Sequence, residues 1–203
     1  MELNECLKWY PINLALSSEA VMRNLLGRLL SVLSAGVPGD VVEMGCHAGD
    51  TSVFFARMLQ ELAPHKTLHL YDSFHGLPDK DEHDNPNYGD PGSVKTAAKI
   101  VRDRFAKENL PKPKIHSGWF KDLTDKQIPN QVCFGFFDGD FYGSIMDSFR
   151  KIYPKTASGG MLCVHDYGCQ PWPGVTRACE DYLSDKPERV EPVCYLLGAM
   201  VKQ

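Results

Sequence analysis

Between residues 40 and 183 the chain alternates short apolar runs with amphipathic stretches of helical period, and few folds satisfy that alternation. The runs "VPGDVVEMG", "KTLHLYD", "PKIHS", "QVCFGFFD" and "GGMLCVHD" read as strands, several of them closed by glycine or aspartate. Between them, Val53, Phe54, Ala56, Met58, Leu59 and Leu62 recur at helical spacing, and "GSVKTAAKIVRDRFAKEN", "SIMDSFRKIYP" and "GVTRACEDYLS" repeat the pattern. Strands that alternate with helices predict an α/β fold: a doubly wound, mostly parallel sheet with helices on both faces.

Three further segments frame this unit. Val21, Leu25, Leu29 and Val32 predict a helix that begins at serines and ends at a glycine, inside an N-terminal helical segment 1–36. The tail "ERVEPVCYLLGAMVKQ" offers two short strands around Gly198, a C-terminal antiparallel strand or hairpin that closes the sheet edge. The segment 76–92, "GLPDKDEHDNPNYGDPG", is nearly free of apolar residues and is expected as a long surface loop, with a lid over a site as one reading and a plain insertion as the other. Asp81, Glu82, Asp84 and Asp90 are expected to keep it solvated. At 203 residues, with no internal repeat, the chain is expected to form one domain, 1–203.

Composition excludes several functions. A net charge of −4 gives no footprint for nucleic acid. No apolar run approaches the ~20 residues of a membrane span, and the N-terminus lacks the pattern of a secretory signal, so a cytoplasmic location is expected. Seven cysteines without a C-x-x-C pair read as reduced thiols. The oligomeric state stays open, a homo-oligomer included.

Ligands of such sheets bind at the carboxyl ends of the strands. There, "VVEMGCHAGDTS" places Glu43 at a strand end, Gly45, Cys46, His47 and Gly49 in a tight turn, and Asp50, Thr51 and Ser52 at a helix start. Such a turn suits a nucleotide-type cofactor. Its G-x-x-x-G spacing lacks the third glycine of a dinucleotide site, and flanking acids disfavour a pyrophosphate. They suit the amino group and sulfonium of S-adenosylmethionine. Asp72, with Ser73 beside it in "LHLYDSF", ends the second strand, where a carboxylate can accept ribose hydroxyls. Glu43 as a helix cap and Asp72 as a turn residue are the plainer alternatives.

Four strings, "VPGDVVEMGCHAGDTS", "YDSFHGLPD", "GWFKDLTD" and "FFDGDFYGSIMDSFRKIYPKTASGGMLCVHDYG", together resemble the macrocin O-methyltransferase family across about Val37 to Tyr182. Those enzymes are class I S-adenosylmethionine-dependent methyltransferases that modify sugar hydroxyls in antibiotic biosynthesis. The resemblance implies that Asp138 of D-G-D-x-Y binds a divalent metal, Mg²⁺ by the hardness of its ligands and Mn²⁺ or another ion as alternatives, together with Asp166 of the next strand. Asp138 also borders the cofactor. Where the family has two successive aspartates, this chain has His165 and Asp166. His165 is therefore a softer metal ligand, a general base without metal, or a hydrogen-bonded strand end. Asp140 is a base, a partner of the ligands, or part of a helix cap.

The resemblance also sets Ser117, Trp119 and Phe120 near the adenine. Trp172, and less so Tyr142 and Arg177, are candidates on the acceptor side. The implied acceptor is a small-molecule hydroxyl, a sugar or polyol of a secondary metabolite, with a catechol also compatible. A metal-independent methyltransferase that uses His165 and a catalytically silent cofactor-binding module remain as rival readings.

Overall fold

The computed structural model describes residues 3–12 and 18–203. Seven strands, β1 (Asp40–Met44), β2 (Leu68–Asp72), β3 (Lys114–Ser117), β4 (Val132–Phe137), β5 (Thr156–Tyr167), β6 (Glu191–Cys194) and β7 (Leu196–Val201), join one sheet in the order β3-β2-β1-β4-β5-β7-β6. β1 to β5 pair in parallel, and β7 runs antiparallel to both of its neighbours. The chain winds outward from β1 to β3 and then restarts beside β1 at β4. This reversal opens a crevice at the carboxyl ends of β1 and β4.

Side-chain alternation sends neighbouring residues of each strand into opposite layers. Val41, Leu70, Phe134 and Phe136 face one layer, packed against residues of α2 (Glu19–Ser34), α3 (Ser52–Leu62) and α4 (Ala98–Lys107). Val42, Met44, Tyr71 and Phe137 face the other, covered by α5 (Tyr142–Ile152) and α6 (Pro173–Leu183). Phe55 anchors the first layer, its ring 5.7 and 6.1 Å from Phe134 and Phe136 in edge-on contact. Truncating such a fully buried ring costs about 3 to 5 kcal/mol.

The helix start read at the serines is met by Ser18, whose Oγ accepts the Val21 amide at 3.2 Å. Cys46, Cys133, Cys163, Cys169, Cys179 and Cys194 are free thiols, three of them on β4, β5 and β6. Two expectations need correction. The helix expected from Gly92 begins only at Ala98, because Gly92 and Ser93 instead bond to Leu77 across the base of the 76–92 loop. Gly198 lies inside β7 and not at the hairpin turn, which falls at Tyr195. A Cβ at Gly198 would stand 2.7 Å from the Tyr167 ring, so the glycine lets that ring lie flat on the strand.

Candidate active site

The crevice is a cavity of about 1070 Å³, walled by the tips of β1, β2, β4 and β5 and by the loop 76–92. A smaller one of about 50 Å³ adjoins it behind the β1 turn. Gly45 and His47 of that turn line both.

The β1 turn owes its shape to close backbone approach. Gly45 has φ 98°, and a Cβ there would overlap the carbonyl oxygen of Asp138. The Asp138 amide in turn donates to the Met44 carbonyl at 2.8 Å, so the ends of β1 and β4 share main-chain contacts. Asp72 closes the other side: its carboxylate accepts the amides of His47 at 2.8 Å and Phe74 at 2.7 Å. Asp72 thus makes the local turn, and it also holds the β1 turn against β2. Each carboxylate oxygen keeps a further lone pair.

Glu43 is only 1% exposed and accepts the Ser52 hydroxyl at the first turn of α3. Burial pushes its carboxyl up to about 8, opposed by that hydroxyl and reinforced by Asp138, Asp72 and Asp50. Asp50 pairs with Arg104, which ties the turn to α4. The Nδ1 of His47 is buried without a hydrogen-bond partner among the described residues.

At the tips of β4 and β5, Asp138, His165 and Asp166 present donor atoms that all lie within 4.8 Å of one another. The Nδ1 of His165 stands 3.1 Å from Asp138 Oδ1 and 3.3 Å from Asp166 Oδ2. Neither contact has hydrogen-bond alignment, and both ring nitrogens are buried without such a partner among the described residues. Burial alone would lower the His165 pKa, but the two carboxylates outweigh it and hold it well above the ordinary value. Asp140 and Asp166 adopt left-handed backbone conformations, φ 61° and 56°, a strain of about 1 to 3 kcal/mol each that gathers at functional sites. Burial, then Asp138 and Asp166, push the Asp140 carboxyl well above its usual range. Asp140 lines the cavity but does not cap α5, whose N-cap is Phe141.

The loop 76–92 departs from expectation. Asp84, read as a solvating residue, is buried: its carboxylate accepts the Tyr142 amide at the start of α5 and the Asp81 amide, both at 2.8 Å. It also lies so close to the first turn of α6 that a Cβ at Gly174 would overlap it. Two helix N-termini favour that negative charge, which explains its burial. Tyr88 meets the Trp172 ring edge-on at 5.8 Å, and a Cβ at Gly89 would stand 2.7 Å from the same ring.

Of the residues singled out from sequence, Gly45, His47, Asp72, Ser73, Trp119, Phe120, Asp138, Asp140, His165, Asp166 and Trp172 converge on the large cavity. Glu43, Cys46 and Thr51 line the smaller one. Gly49 and Ser52 line neither; Ser52 acts through Glu43. Ser117 is exposed on edge strand β3 and borders neither cavity, because the chain turns inward only after Gly118. Arg177 and the Tyr142 hydroxyl both bond Asp181, at 2.8 and 3.2 Å, and pair along the helices instead of facing the cavity. Phe141, Asp147 and Tyr88 line it unanticipated.

No helix among the described residues is long and apolar enough to cross a membrane. Comparison with known proteins agrees with the geometry. The chain is 28% identical to mycinamicin III 3''-O-methyltransferase of Micromonospora griseorubida over 83% of its own length and 68% of that enzyme's. It spans 60% and 59% of two further curated relatives. The structure of the O-methyltransferase NovP superposes with a TM-score of 0.80 at 25% identity, covering 91% of this chain and 80% of that one. An O-methyltransferase from Bacillus cereus in complex with SAH shares the fold, with a TM-score of 0.62 at 16% identity over 98% of this chain and 90% of that one. The model of the family described as Macrocin-O-methyltransferase (TylF) matches residues 4–193, so the chain belongs to that family of S-adenosylmethionine-dependent methyltransferases.

Proposed function

We propose that the protein transfers the methyl group of S-adenosylmethionine to a hydroxyl on the sugar or polyol part of a small secondary metabolite, at a site assisted by a divalent cation. The spacing at His165 carries this reading. Neighbouring donors on an octahedral ion at about 2.1 Å stand about 3.0 Å apart, and the 3.1 and 3.3 Å separations match that bite. The unpartnered ring nitrogens of His165 agree with a missing electrophile.

Asp138, His165 and Asp166 would hold the ion, and the imidazole shifts preference from Mg²⁺ toward Mn²⁺ or a later metal. Such an ion lowers the pKa of a hydroxyl bound to it. The cofactor fits the β1 turn. Gly45 clears the backbone there, Asp72 would offer its remaining lone pairs to ribose hydroxyls, and Glu43 and the unpartnered Nδ1 of His47 would serve the amino-acid end. The chain's own work is positioning: shared main-chain contacts between the β1 and β4 tips fix the two half-sites relative to each other. In the transfer the C–S bond breaks as the C–O bond forms, the sulfonium becomes a thioether, and the hydroxyl proton leaves through the carboxylate cluster.

The test is methyl transfer after chelation, with Mg²⁺, Mn²⁺ and Zn²⁺ restored separately. Asp138→Asn and Asp166→Asn should each lose at least about a hundredfold in turnover while calorimetric affinity for SAH stays nearly constant. Full activity without metal, together with an inactive His165→Ala, would replace this mechanism by general-base catalysis.

A further inference from the structure

The amino-acid end of S-adenosylmethionine is a zwitterion, so a pocket that takes it must suit an ammonium and a carboxylate side by side. The small cavity behind the β1 turn is lined by three acids, Glu43, Asp50 and Asp138, and by His47 and His165, but by no lysine or arginine. Burial pushes the Glu43 carboxyl up to about 8, so near neutral pH it enters the pocket as a neutral acid. Asp138 belongs to the cluster at the tips of β4 and β5. Asp50, just before α3, is therefore the carboxylate left for the ammonium. Without a cation of its own it would repel the carboxylate beside that ammonium.

The cation comes from α4. Lys99, Arg102 and Lys107 of this helix are exposed, whereas Arg104 turns inward and its Nη1 donates to Asp50 Oδ1. Three residues earlier, on the same helix face, Val101 is fully buried against the turn: a Cβ at Gly49 would stand 3.3 Å from its Cγ1. The helix thus bears on the β1 turn at two successive residues, Gly49 and Asp50, although none of its residues lines either cavity. The Asp50 and Arg104 side chains are each 32% exposed, and such a pair adds little to global stability. Its effect is local, on the direction and the charge of Asp50.

Resting on the cofactor placement proposed above, we infer that Arg104 is a positioning residue of the cofactor site. From outside the cavity it fixes the Asp50 carboxylate for the ammonium and offsets the negative charge that the cofactor's own carboxylate would otherwise meet. The nucleoside end of the cofactor is indifferent to it.

The experiment uses the full chain and calorimetric titration with two ligands, SAH and 5′-methylthioadenosine, which keeps the nucleoside and thioether but has no amino-acid end. Arg104→Met should bind SAH about tenfold more weakly and 5′-methylthioadenosine within about twofold of the unmodified protein, with an unchanged urea midpoint. Arg104→Lys keeps the charge and a single donor, and should hold SAH within about threefold. Because Arg104 acts through Asp50, Asp50→Asn/Arg104→Met should bind SAH no more weakly than Asp50→Asn alone. Equal losses for the two ligands in Arg104→Met would make the residue merely structural and overturn the inference; so would unchanged or tighter SAH binding, additive losses in the double variant, or a tenfold loss in Arg104→Lys. An unmodified protein that fails to bind SAH overturns the cofactor placement and this inference with it, whereas normal SAH binding with the wrong variant pattern overturns the inference alone.

Discussion

Replacing Glu43 by Gln should change how stability depends on pH far more than it changes stability at acid pH. The carboxyl is 1% exposed, and burial raises its pKa from 4.5 to about 8. Between those values the native protein holds a proton that the unfolded chain has released, so stability falls as pH rises. The slope for one group is about 1.36 kcal/mol per pH unit. From pH 6.5 to 8, where the native carboxyl is itself half deprotonated at the upper end, it amounts to about 1.6 kcal/mol, and over the whole window to somewhat under 5 kcal/mol. His69 acts in the opposite sense. Burial lowers its pKa from 6.5 to about 4, against Asp40, so it adds stability as pH rises through that lower range, and the interval above 6.5 is free of it. Glutamine keeps the shape and an acceptor for Ser52, but has no proton to lose. Urea unfolding of both proteins in EDTA at pH 5, 6.5 and 8 should show the wild type losing about 1.6 kcal/mol relative to Glu43→Gln between the last two points. Parallel curves would refute the reasoning, because they would mean that Glu43 is already ionised in the folded protein.

Other perturbations have equally definite outcomes. Gly45→Ala sets a methyl group against the Asp138 carbonyl in a left-handed conformation. It should cost at least about 2 kcal/mol in urea unfolding and abolish measurable SAH binding. Asp72→Ala removes the acceptor of two amides, and SAH affinity by calorimetry should weaken by about 1.5 to 3 kcal/mol; unchanged affinity would remove Asp72 from the site. Asp84→Ala frees the start of α5, and limited proteolysis should then cut within 76–92 several times faster. Equal cleavage rates would show that Asp84 does not hold the loop.

The strand tips were legible because their chemistry is local. A valine pair that runs into Glu43 and Gly45 encodes a buried strand and the turn that ends it, and both stand where the spacing put them. Asp138, His165 and Asp166 were grouped through the resemblance to the family, and the parallel pairing of β4 and β5 brings their donor atoms within 4.8 Å of one another. Asp84 was not legible. In the sequence it is one acid among several in a polar loop, and its burial depends on two helix starts that only the tertiary fold brings to it. Ser117 failed for a related reason: the cavity wall begins after Gly118, at Trp119, and strand periodicity cannot locate that bend. Gly198 looked like a turn because the space that requires it belongs to Tyr167, a residue on a neighbouring strand.

The contact between Gly45 and Asp138 bears on how such an enzyme can diversify. On the proposed function, the span from methyl donor to acceptor would be set by main chain at the β1 and β4 tips, so exchanging surrounding side chains should leave it unchanged. On the same proposal, acceptor choice would reside elsewhere, in 76–92 and in the segment around Trp172, which meet through Tyr88, Gly89 and Asp84. Grafting those two segments together from a relative should transplant acceptor preference and leave the transfer distance intact. Grafting either one alone would leave a buried carboxylate or an indole facing the wrong neighbour.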